Sequence, residues 1–190
     1  MPEFKLQCDE SELSEFARTF GSEESESDAF QAGKEISGGD RSVTNLVKIV
    51  KWKSHRRAGL ILKNTALQVK EALDLAVAVA NSNSDENLIT ALETLQKLHG
   101  VGLPVASAIL TAINPERFTI IDFRALEALG HPQQDEGFYI AYLNFCRNLA
   151  AQKVISPQIE LPAPTALRAL DRALWQCGLE LNQKRKNLQS

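Results

Sequence analysis

LQKLHGVGLPVASAILTAINPERFTIIDFRALEALG, running from Leu95 to Gly130, decides how the rest of the chain is read. An apolar helical run carrying Leu92 and Leu95 stops at Gly100-Val101-Gly102. A second run, with Val105, Ala106, Ile109, Leu110 and Ile113, begins at once. So short a connection turns the two apolar faces together, which predicts a tight helical hairpin. The two glycines allow φ > 0 and leave the backbone bare. The N–H groups of Gly100, Gly102 and the first turn of the next helix then have no intrahelical acceptor. Pro104 suits that first turn, where its missing N–H costs little. A helix N-terminus of this kind attracts phosphate, and a plain helix–helix corner uses glycine for geometry in the same way. The turn alone leaves both readings open. Asn114-Pro115 ends the second helix, and Phe118–Ile121 reads as an extended apolar loop. Asp122 then caps a third helix with Phe123, Leu126 and Leu129 inward, closed by Gly130.

Upstream, Leu88, Leu92 and Leu95 form the stripe of a helix restarted by Ser84 or Asp85. Thr65 with Gln68 is a capping-box pattern opening a helix to about Ala80. Ser42 or Thr44 caps a helix with Leu46, Ile49 and Val50, and Ser54 offers a further cap. Leu13, Phe16, Ala17 and Phe20 share one face of a short helix. Residues 21–41 are acidic, Ser/Gly-rich and poorly patterned, so they read as a loop or mobile segment. Downstream, Phe138, Tyr142, Phe145 and Leu149 mark another helix. A Pro-rich connection covers 156–164, Thr165 caps a last helix, and a basic tail over 181–190 reads as frayed. The expected fold is all-α, a two-lobed bundle of about eight helices. The expected domains are 1–41, an acidic helix and loop, and 42–190, with the hairpin at 86–113 and the Asp-bearing loop and helix at 114–130.

The 190 residues are 44% hydrophobic and 24% charged, enough for a sizeable core. No apolar run approaches the roughly 20 residues of a membrane span, and the N-terminus lacks the basic head and apolar stretch of a signal peptide. Cys8, Cys146 and Cys177 are far apart and show no metal spacing, so they read as reduced thiols of a cytosolic protein. The net charge of −3 hides an asymmetry. Residues 1–40 hold 11 acids and 3 bases, whereas 41–190 hold 13 acids and 18 bases. Arg41–Lys63 carries seven Lys/Arg and no acid. Within it Lys48, Lys51, Lys53, Arg56 and Arg57 surround Trp52, a pattern suited to phosphate contact and base stacking and equally to a core tryptophan with snorkelling lysines.

LHGVGLPVASAIL resembles the helix-hairpin-helix motif, and with Asp122 in TIIDFRALEALG the stretch 88–130 resembles the helix-hairpin-helix DNA glycosylase superfamily. That resemblance implies backbone amides of Gly100, Val101 and Gly102 on a phosphate. It implies carbonyls of Gln96, Leu98 and Val101 on a monovalent cation when DNA is bound, and Asp122 as the catalytic carboxylate. Trp52 and Arg124 become candidate pocket residues. Pro104 occupies the position where bifunctional members carry a Schiff-base lysine, so lyase chemistry is not expected. The cysteines do not supply an iron–sulfur cluster, and no other cofactor is implied. The resulting expectation is a monofunctional DNA base-excision glycosylase acting on double-stranded DNA. It would be a monomer without membrane attachment, cytoplasmic and nucleoid-associated if bacterial. A non-catalytic helix-hairpin-helix DNA-binding module and a helical protein-interaction domain are the alternatives.

Overall fold

The computed structural model describes residues 3–20, 24–131, 136–155 and 163–187. Among them the chain is all-helical. A 3-10 turn at Glu10–Glu12 precedes α1 (Leu13–Thr19), α2 (Glu24–Ser37), α3 (Val43–Lys53), α4 (His55–Ile61) and α5 (Ala66–Asn81). There follow α6 (Leu88–Gln96), α7 (Leu103–Ile113), α8 (Phe123–Ala128), α9 (Glu136–Ala151) and α10 (Ala166–Asn187). The chain forms two compact units, one of residues 23–120 and one of 1–22 with 121–190. The boundary expected at residue 41 therefore falls inside the first of these.

In the 23–120 unit α7 is the central helix. Every residue of it except Pro104 is buried, and α2, α3, α5 and α6 all pack on it. The α2 contact corrects the expectation of a loop or mobile segment for Glu24–Ser37, while residues 21–23 lie outside the described residues. Ala29, Ala32, Gly33 and Ile36 recur at helical spacing and are buried against neighbours. A Cβ on Gly33 would stand 1.9 Å from the Ala112 carbonyl oxygen, so only glycine lets the two backbones lie this close. Acidic and Ser-rich composition masked a stripe made of small residues.

The caps fall largely where the residue types place them. Ser42 Oγ accepts the Asn45 N–H at 3.3 Å, and Thr65 with Gln68 forms the full capping box. Neither Ser84 nor Asp85 caps α6, which starts at Leu88. Asp85 is instead paired with Arg117 at 2.7 Å, and Arg117 also donates to the Val79 carbonyl at 2.9 Å. Phe118–Ile121 is non-helical, without strand, and buried.

In the other unit α10 packs on α1, α8 and α9. A Cβ on Gly178 would lie 2.0 Å from the Arg124 carbonyl oxygen, a second backbone-to-backbone crossing. Thr165 Oγ1 accepts the Arg168 N–H at 3.0 Å and caps α10, as read from the sequence. The helix runs on to Asn187, so the tail expected to fray is helical that far, while most of the Pro-rich connection lies outside the described residues. Cys8 and Cys177 are joined in a disulfide with Cα atoms 6.5 Å apart. This corrects the expectation of three reduced thiols. A separation of 169 residues gave no local spacing to read, and α1 packing on α10 is what brings the two sulfurs together. Cys146 is free and buried. No helix of the described residues is long and apolar enough to cross a membrane.

Candidate nucleic-acid interface

The α6–α7 connection is a closed turn. The Leu98 N–H donates to the Leu95 carbonyl and the Val101 N–H to the Leu98 carbonyl, both at 3.1 Å. Gly100 sits at φ +89°, a conformation that disfavours any side chain. Two groups from upstream hold this turn. A Cβ on Gly100 would meet the Arg57 carbonyl oxygen at 2.9 Å and the Leu60 Cβ at 3.0 Å, so α4 lies directly against it. Asn64, buried after α4, accepts the His99 N–H on its Oδ1 at 2.8 Å. Its Nδ2 donates to the carbonyls of Ile61 at 2.9 Å and His99 at 3.2 Å. Sequence reasoning missed Asn64, because an asparagine between Lys63 and the Thr65 cap looks like any turn residue.

Gly102 is the N-cap of α7 and brings no side chain to it. The N–H groups of Val105 and Ala106 both turn back to the Gly102 carbonyl at 2.9 Å, and Pro104 has none. Of the three amides expected to face a phosphate, Val101 is therefore spent on closing the turn. The N–H groups of Gly100, Gly102 and Leu103 have no hydrogen-bond acceptor among the described residues. Arg57 Nη1 would lie 3.9 Å from a Cβ on Gly102, so its guanidinium stands beside the open helix end. Bare amides, the positive end of an 11-residue helix and a guanidinium are the ingredients of an anion site. The Leu98 carbonyl, one of those expected around a cation, already accepts the Val101 N–H and keeps a second lone pair. Gln96 ends α6. No group of three His, Cys, Asp or Glu side chains is arranged for a metal among the described residues.

The basic stretch divides. Arg41 is tied to Asp74 at 3.0 Å and Lys48 to Glu35 at 3.9 Å. Lys51, Arg56, Arg57 and Lys63 are exposed and have no acidic partner among the described residues, while Lys53 is half-buried at the end of α3. The exposed cations flank and extend the α4 surface that supports the turn. Trp52, expected to line a pocket, is half-buried with its ring centroid 5.5 Å from that of Phe30. It packs α3 on α2.

In the 1–22 and 121–190 unit, Asp122 is the N-cap of α8. Its Oδ1 accepts the Arg124 N–H at 2.9 Å, and the residue is half-buried. Arg124 was the other expected pocket residue. Its Nη1 is 3.3 Å from Glu127 Oε2, its guanidinium lies 4.7 Å over the Phe123 ring, and Glu127 also receives Asn182 at 3.2 Å. Arg124 thus works in the α8–α10 contact. No family model, curated protein or solved structure matches this chain.

Proposed function

We propose that this chain is a monofunctional DNA base-excision glycosylase of the helix-hairpin-helix type. It binds double-stranded DNA as a cytoplasmic monomer, at the nucleoid if the cell is bacterial, flips a damaged or mispaired base and hydrolyses its N-glycosidic bond. The observation that carries the reading is the uncapped N-terminus of α7, with Arg57 beside Gly102 and the amides of Gly100, Gly102 and Leu103 left without acceptors. These groups suit one backbone phosphate, and Lys51, Arg56 and Lys63 supply further sequence-independent contacts. The turn carbonyls of Gln96, Leu98 and Val101 would hold a monovalent cation, whose charge would partly offset that of the phosphate.

Asp122, twenty residues after Gly102, supplies the carboxylate. An anion beside the sugar of a flipped nucleotide stabilises the positive charge that grows as the base departs, and it orients or deprotonates the attacking water. Pro104 leaves no amine at that position for a covalent route. The hydrogen bond from Arg124 N–H to Asp122 favours a second reading, in which the carboxylate is only a cap and the chain is a non-catalytic DNA-binding module.

Base release from a panel of lesion-bearing duplexes tests the proposal. Release that disappears in Asp122→Asn is the expected result, since asparagine keeps the cap and removes the charge. No release by the wild-type chain from any duplex, together with salt-sensitive DNA binding, selects the second reading. DNA affinity unaffected by salt refutes both. On this reading the Cys8–Cys177 disulfide would be of the redox-responsive kind that is usual in cytosolic proteins, where permanent staples are rare.

A further inference from the structure

The Cys8–Cys177 disulfide closes a segment that is otherwise held by two backbone hydrogen bonds, by the His131 ring nitrogen on the Glu3 carbonyl and by the Phe4 ring. Residues 3–9 form no helix. The Lys5 N–H donates to the Leu129 carbonyl at 3.3 Å and the Gln7 N–H to the Ala128 carbonyl at 2.8 Å, which satisfies two acceptors at the end of α8. Phe4 lays its ring among His131, Phe138 and Phe145, with centroids 5.1 to 5.2 Å away. By contrast α1, α8 and α10 are joined through fully buried residues such as Leu13, Leu126, Leu170 and Leu174. Loss of the disulfide therefore acts first on the segment and not on the helices beneath it.

The two sulfurs are also unequally accessible. Cys177 is 1% exposed, whereas Cys8 is half-exposed at the edge of a surface pocket lined by both cysteines. Asp9, Glu12, Glu180 and Lys184 stand round the same pocket, so its mouth carries three carboxylates against one ammonium. A negatively charged thiol is repelled there, and a cationic or neutral one is admitted.

From these observations we infer that Cys8–Cys177 is a redox latch, opened by a cationic or neutral thiol at Cys8, that frees residues 3–9 and uncovers the ring pocket occupied by Phe4. The step balances with a dithiol as reductant. Its thiolate attacks Cys8 Sγ, the Cys8–Cys177 bond breaks, and Cys177 leaves as a thiolate and takes a proton. The second thiol of the dithiol then displaces Cys8 from the mixed disulfide. The dithiol ends as a disulfide and the protein as two thiols.

Hydrogen exchange on the full-length chain tests the latch, with dithiothreitol as the reductant. Denatured, air-oxidised protein should show one titratable thiol, that of Cys146, and reduced protein three. Reduction should speed exchange at the Lys5 and Gln7 amides by at least about tenfold, the amount that loss of their acceptors implies, and leave Leu170 to Leu174 in α10 unchanged. Cys8→Ser should give the reduced pattern without reductant. Compared per thiolate, cysteamine should open the bond several-fold faster than mercaptoacetate at low salt, and the gap should narrow at high salt. Three thiols in the oxidised protein, or equal exchange at Lys5 and Gln7 in both states, would overturn the latch. Loss of protection throughout α10 on reduction would overturn it too, since the bond would then be a staple of the whole unit. Equal thiol rates at low salt would refute the charge selection.

Discussion

Replacing Gly33 by alanine adds one methyl group where α2 crosses α7. The new Cβ would sit 1.9 Å from the Ala112 carbonyl oxygen, 2.3 Å from its carbon and 3.0 Å from the Ile113 nitrogen. All three are backbone atoms inside a buried helix, so no side chain can rotate out of the way. Ordinary contact begins near 3.4 Å, so the helices must part by about 1.5 Å. Overpacking of this kind costs roughly 1–3 kcal/mol, and a backbone-to-backbone clash belongs at about 3. Alanine gives back about 1 kcal/mol as the better helix former. The net expectation is a loss of about 2 kcal/mol. Equilibrium urea unfolding, with a slope of roughly 1–3 kcal/mol/M, should then show a midpoint lower by about 1 M. Gly59→Ala is the matched control. Gly59 lies in α4 with nothing within 4 Å of its Cβ position, so the same chemical change should stabilise by up to about 1 kcal/mol. Opposite signs from two glycine-to-alanine changes are the signature. If Gly33→Ala matched Gly59→Ala in sign, α2 would not pack on α7 in this way.

Asn64→Ala should cost about 1–2 kcal/mol in urea unfolding, because the His99 N–H loses its acceptor and the His99 carbonyl its donor, and DNA affinity should fall with it. Arg57→Ala should weaken binding to all duplexes alike and flatten the salt dependence by about one unit of slope. Asp122→Ala should cost about 1 kcal/mol for the lost cap while Asp122→Asn costs almost nothing, so a melting series separates the cap from the chemistry. Cys146 should resist alkylation in the native protein at neutral pH, as measured by mass spectrometry. Full burial pushes its thiol far above the ordinary range, against a lowering hydrogen bond from Tyr142.

What the residues made legible was local. The capping box at Thr65, the Thr165 cap, the Asp122 cap and the break at Asn114-Pro115 each depend on a few neighbours, and all are read correctly from spacing. What escaped depends on partners far along the chain. The α2 stripe of Ala29, Ala32, Gly33 and Ile36 is too weakly apolar to stand out in an acidic segment, and its meaning comes from the Ala112 carbonyl. Asp85 looked like a cap until Arg117, 32 residues later, claimed it. Cys8 and Cys177 have no pattern at all at their separation. Within the candidate interface, the glycines and basic residues were visible in the sequence. The use of Val101 to close the turn, the packing role of Trp52 and the Glu127 partner of Arg124 were not.

The Asn64 clamp bears on how this protein acquires its turn. The α6–α7 segment is short in sequence and looks autonomous, yet the His99–Gly100 corner is shaped by Asn64 and by the backbone of α4, some 35 residues earlier. An excised peptide spanning 88–113 would lack that mould, and grafting those residues onto another helical scaffold would not transplant the corner. In the folded chain the His99–Gly100 corner rests on the Arg57 carbonyl, on Leu60 and on the Asn64 side chain. The geometry of the turn is therefore a nonlocal property, and the α4–α5 connection, which carries Asn64, is the part of the chain that governs it.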